Sequence, residues 1–118
     1  MKTNRLRVVT LVFALFVCCV TLSAQKFAIF SDVHVTPGNA NEAKLKAAVA
    51  EVNKSDVDYV LVSGDLTNEG SDEQLRNVKS IFDAFTKPYY IIPGNHENNW
   101  SQSACKTFND LWGADRFV

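Results

Sequence analysis

Three short apolar runs set the terms on which this 118-residue chain can fold. Phe27-Ala28-Ile29-Phe30, Tyr59-Val60-Leu61-Val62 and Tyr89-Tyr90-Ile91-Ile92 are short, rich in aromatic and branched residues, and followed by turn formers. They read as strands, Lys26 to Phe30 as a buried one. Between and after them the apolar period changes. From about Ala40 to Asn53, Leu45, Ala48, Val49 and Val52 fall at helical spacing, with Lys44, Lys46 and Glu51 away from that face. Ser71-Asp72-Glu73-Gln74 has the form of a capping box. The helix it opens carries Leu75, Val78, Phe82 and Phe85 on one face and ends before Pro88. A last helix from about Ser101 to Trp112 would bury Ala104, Phe108 and Leu111, with Gly113 as its C-cap. The predicted order is β-α-β-α-β-α. Such alternation gives parallel strands, right-handed crossovers and an α/β fold with helices covering the sheet. Arg116-Phe117-Val118 reads as the opening of a further strand.

The N-terminus reads differently. Lys2, Arg5 and Arg7 precede an apolar stretch from Val8 to Val20, and Leu22-Ser23-Ala24 offers a peptidase site before Gln25. That is the layout of a signal peptide over residues 1–24, predicting an exported protein, periplasmic or extracellular. The stretch is well short of the roughly 20 residues that span a bilayer, so no stable membrane span is expected. Cleavage would remove three of the 12 basic residues and none of the 13 acidic ones, leaving a net charge of −4. A basic nucleic-acid-binding face is therefore not expected. Cys18 and Cys19 would leave with the leader, and Cys105, alone, reads as a small packed hydrophobe.

The chemistry lies where the strands end. The first run leads into Asp32-Val33-His34, the second into Gly64-Asp65, and the third, after Pro93, into Gly94-Asn95-His96-Glu97. In a parallel α/β sheet, ligands gather at the carboxyl ends of the strands. Neighbouring strands are about 4.8 Å apart, which suits metals roughly 3.5–4 Å apart in a two-metal hydrolytic site. Asp32, Asp65 and Asn95 offer oxygen; His34 and His96 offer imidazole. This mixture suits Mn, Fe or Zn. Each fragment alone is an ordinary turn. Together, at matching strand ends, they point to a metal site.

These motifs, in this order, make the chain similar to the N-terminal part of the calcineurin-like metallophosphoesterases, over essentially all of residues 26 to 118. The resemblance implies the start of that family's layered fold, with helices packed on a mainly parallel sheet. It implies two divalent or trivalent metal ions, with Asp32 and His34 on the first, Asp65 bridging both and Asn95 on the second. His96 would not be a ligand; it would face the phosphate and stabilise or protonate the leaving oxygen, with Glu97 behind it to orient it. A metal-activated hydroxide would attack small-molecule phosphate mono- or diesters. The chain departs from the purple acid phosphatases, which have a tyrosine where Asn68 stands. It departs from Ser/Thr protein phosphatases too, lacking the arginine of their Gly-Asp-x-Val-Asp-Arg-Gly motif. Family members carry further histidine ligands in a C-terminal half, whereas the histidines here are His34 and His96. Residues 25–118 are therefore expected to form a partial, truncated domain of an exported enzyme. The alternative is a catalytically incompetent metal- or phosphate-binding remnant.

Overall fold

The computed structural model describes residues 24–99 and 105–113. The expected leader before Ala24, the expected helix start at Ser101 with Ala104, and the terminal Arg116-Phe117-Val118 strand lie outside them. Within the described residues, strands β1 (Phe27–Phe30), β2 (Tyr59–Val62) and β3 (Tyr89–Ile91) form one sheet in the order β1-β2-β3. Both pairings are parallel, Phe27 opposite Tyr59 and Val60 opposite Tyr89. The α/β alternation read from the sequence is present: helices α1 (Ala40–Lys54) and α2 (Asp72–Phe82) make the two crossovers. A short helix α3 (Asn95–Asn99) and then α4 (Lys106–Trp112) follow β3. The sequence pattern had not shown α3.

Local chemistry explains the helix ends. Asn39 caps α1 by accepting the Glu42 N–H, while the Glu42 carboxylate reaches back to the N–H of Gly38. The Lys46 ammonium and that N–H hold the Glu42 carboxyl below its ordinary value. Ser71 caps α2 through the Gln74 N–H. The reciprocal half of the expected capping box is redirected: Gln74 accepts from the N–H of Glu69 instead of returning to Ser71. Gly113 ends α4 at a positive φ, its N–H returning to the Asn109 carbonyl at 2.7 Å.

One face of the sheet is packed. Val60 and Val62 join Leu45 and Val49 from α1, and Leu75, Val78, Ile81 and Phe82 from α2, in the core. Phe82 is fully buried, with its ring against those of Phe30, Phe85 and Tyr89. Helix α4 adds Phe108, and the Trp112 indole donates to the Tyr89 hydroxyl at 3.0 Å. Asn53, at the end of α1, binds both the Ala84 carbonyl and the Thr86 N–H at 2.8 Å, joining that helix to the turn between α2 and β3.

The other face is open, which corrects the expectation of a buried first strand. Ile29 is 63% exposed and Phe27 47%, and Tyr90 and Ile92 are exposed with them. The reason is the period of two: these residues point away from α1 and α2. Along this face the Phe27 ring stacks on that of Tyr59, which meets Tyr90 edge to face. The asymmetry predicts a contrast in stability. Phe82→Ala should cost about 3–5 kcal/mol, whereas Ile29→Thr should change stability by no more than about 0.5 kcal/mol. Urea unfolding of the two variants checks this. Equal losses would mean that the open face is packed in solution.

Candidate metal centre

The three strand-end segments meet because their backbones pair beyond the strands. Asp32 N–H donates to the Gly64 carbonyl at 3.2 Å, His34 N–H to Asp65 at 3.1 Å, and Val35 N–H to Leu66 at 2.9 Å. Asp32, His34 and Asp65 lie at φ values of 54°, 46° and 51°. Each is a left-handed conformation that costs energy outside glycine, least for Asp. Such strain persists where surrounding bonds over-determine it. At His34 the restraint is visible: its carbonyl accepts from the side-chain amides of both Asn39 and Asn41, at 3.1 and 3.2 Å.

The glycines serve close approach. A side-chain carbon on Gly64 would overlap the backbone nitrogen of Gly94, and one on Gly94 would overlap the Asp65 carboxylate. Gly64 also sits at φ 88°, where side chains are disfavoured.

Glu97 holds these loops together. It is fully buried. Its Oε1 accepts from the N–H groups of Leu66 and Thr67 and from the Thr67 hydroxyl, at 2.9, 3.2 and 3.1 Å. Its Oε2 accepts from the N–H groups of Asp65 and Gly94, at 3.0 and 2.9 Å. The carboxylate is thus directed at backbone, and the support of His96 expected of it is not among its contacts. His96 is oriented from elsewhere: its Nδ1 lies 2.6 Å from the Asn68 carbonyl oxygen, and its own N–H donates to Asp65 Oδ1 at 3.2 Å.

The result is a cluster. One ligand atom each from His34, Asp65 and His96 lies within 4.8 Å of the others, all three residues half-buried. The His34 and His96 rings meet edge to face at 4.7 Å. Asn95 joins Asp65 directly: with its nitrogen toward the carboxylate, it donates to Oδ2 at 3.1 Å and Oδ1 at 3.3 Å. Asp32 stands beside the cluster and not in it. Its carboxylate accepts from the Ser31 hydroxyl and lies 3.9 Å from His34 Nε2. The two-imidazole, carboxylate and amide donor set fits Mn, Fe or Zn. Thr36, Thr67 and Asn68 are supporting residues that the sequence reading did not single out.

A profile described as calcineurin-like phosphoesterase matches residues 25–118, and the chain belongs to that family. Among curated relatives it is 30% identical over 81 residues to a probable cyclic nucleotide phosphodiesterase of Rhodopseudomonas palustris, covering 62% of this chain and 30% of that protein. It is also 30% identical over 77 residues to a glycerophosphodiester phosphodiesterase of Enterobacter lignolyticus, covering 64% of this chain and 26% of the relative. A probable glycerophosphodiester phosphodiesterase of Arcobacter nitrofigilis is 39% identical over 41 residues, or 35% of this chain and 15% of that one. The matches thus span about a third or less of each relative's length.

The Glu97 arrangement generates a prediction. Glu97→Gln keeps the shape but turns an amide NH₂ toward backbone donors. Leaving one or two of them unpaired should cost about 2–4 kcal/mol. Chemical denaturation measures this directly; a change within about 0.5 kcal/mol would show that the carboxylate does not clamp the loops.

Proposed function

We propose that this chain carries the N-terminal half-site of an exported, metal-dependent phosphoesterase acting on small phosphate mono- or diesters. The observation that supports it most is the convergence of His34, Asp65 and His96 at the ends of parallel strands in a chain of this family. Residues 25–118 would form the first part of the phosphoesterase domain, and residues 1–24 the leader that exports it. Among the described residues no helix is long and apolar enough to cross a membrane. The relatives named as phosphodiesterases favour a diester.

Asp32, His34, Asp65 and Asn95 would hold the ions, with Asp65 shared between two. Divalent metals bound there supply Lewis acidity toward the phosphoryl oxygens and the attacking water. The chain's own part is positioning and proton transfer. Asp65 is fixed by its N–H on Glu97 and by Asn95 and the His96 N–H on its carboxylate. Asn95 thereby presents its amide in register with that carboxylate. His96 has Nδ1 committed to the Asn68 carbonyl, so Nε2 is the atom through which its ring exchanges a proton. As an imidazolium it would deliver that proton to the leaving oxygen. Glu97 acts through the loops it binds, not on the phosphate.

A second reading has one specific observation behind it: the His96 ring shares the cluster with His34 and Asp65, at metal-ligand spacing. Substitution separates the two. In a protein that carries this segment and hydrolyses a bis-aryl phosphodiester, Asp65→Asn should lower metal content and turnover together. His96→Ala should retain the metal and slow turnover by about 10²–10⁴-fold. Loss of metal from the His96 variant would favour the ligand role, and full metal content in Asp65→Asn would contradict the bridging assignment. Absence of hydrolysis in metal-loaded protein carrying the segment would leave the binding remnant as the better description.

A further inference from the structure

We propose that Asn68 is a positioning residue for His96: its main-chain carbonyl fixes the ring proton on Nδ1, and its side chain, strapped to Thr36, keeps that carbonyl in place. The first half follows from hydrogen-bond chemistry. The Asn68 carbonyl has no proton to give, so at 2.6 Å from Nδ1 it selects the form with hydrogen on that nitrogen. Nε2 is left as the atom free to take a metal or exchange a proton. Neutral histidine in water prefers the opposite tautomer, with hydrogen on Nε2. The fold therefore chooses the less favoured one, as a hydrogen bond to the other ring nitrogen commonly does.

The second half comes from the loop. Between Asp65 and α2, Thr67 is anchored on Glu97, and its hydroxyl accepts the Gly70 N–H at 2.8 Å. Asn68 projects from between these anchors as an exposed residue. Its restraint is the side-chain bond from Nδ2 to the Thr36 hydroxyl, at 2.7 Å. Thr36 follows the His34 segment, so one bond ties the loop carrying His34 to the carbonyl that orients His96. The His34 and His96 rings, which meet edge to face at 4.7 Å, thus belong to loops joined by this bond as well as by the backbone pairing of Val35 with Leu66.

The consequence for turnover rests on the phosphoesterase reading above, but the ring proton can be measured without activity. The probe is the metal-free chain labelled with ¹⁵N-histidine, at a pH well above the ordinary histidine value of about 6.5. The sequence contains two histidines, and His34→Gln assigns the other. The wild type should show His96 with hydrogen on Nδ1. Asn68→Ala and Thr36→Val should each convert most of the His96 signal to the Nε2–H form. The double variant should add little, because both remove one bond. Thr36→Ser, which keeps the hydroxyl, should retain the wild-type pattern. A wild-type His96 protonated on Nε2 would overturn the proposal, as would folded single variants that keep the wild-type ring. Unfolding of either single variant would overturn it too, by making the strap a stability element. An Nδ1–H His96, together with no phosphodiester hydrolysis by a metal-loaded protein carrying this segment, would refute the phosphoesterase reading and leave this one standing.

Discussion

The fold's functional end depends on a buried carboxylate. Placing Glu97 out of water carries a penalty of several kcal/mol. Against it stand five hydrogen bonds to one anion, from Asp65, Leu66, Thr67 twice and Gly94. Together they occupy the lone pairs that burial would otherwise leave unpaired. The donors come from the loop after β2 and the turn after β3, so the anion acts as a cross-link between strand ends. Glu97 occupies the third position of α3 and receives the N–H of Gly94, one half of a capping box. A helix-capping interaction has been extended into the neighbouring loop.

The left-handed backbones of Asp32, His34 and Asp65 depend on this cross-link and on the inter-loop ladder. Such conformations cost roughly 1–3 kcal/mol each, and they turn successive side chains toward a shared volume instead of alternating them across a sheet. Gly64 and Gly94 let the second and third loops touch backbone to backbone. The site is thus assembled by main chain first. Its side chains are placed by neighbouring groups: the Asn39 and Asn41 amides, the Asn68 carbonyl and the Thr67 hydroxyl.

Much of this was legible in the sequence, for reasons that can be named. Strand and helix order followed from apolar period, and α1 from Ala40 agrees because Leu45 and Val49 face one core. Convergence of His34, Asp65 and His96 followed from parallel strands, whose carboxyl ends lie together. Three things were hidden. An apolar run such as Phe27-Ala28-Ile29-Phe30 does not tell whether both its faces are covered, and here Ile29 is exposed. The sequence suggested that Glu97 would serve His96; the folded chain turns it onto backbone donors, whose positions no side-chain pattern reveals. The Asn68 carbonyl could not be read at all, since every residue has one. The Gly94-to-Glu97 spacing was the available clue to the cap and to α3.

The claim that these loops form one metal-binding volume is tested most directly by paramagnetic broadening. Mn(II) titrated into ¹⁵N-labelled protein should broaden the amides of residues 32–35, 64–68 and 94–97 together. Those of Val52, Asn53 and Phe82, on the helices behind the sheet, should stay sharp. Broadening centred on the exposed acids Asp56 and Asp58, or spread evenly over the chain, would contradict the account.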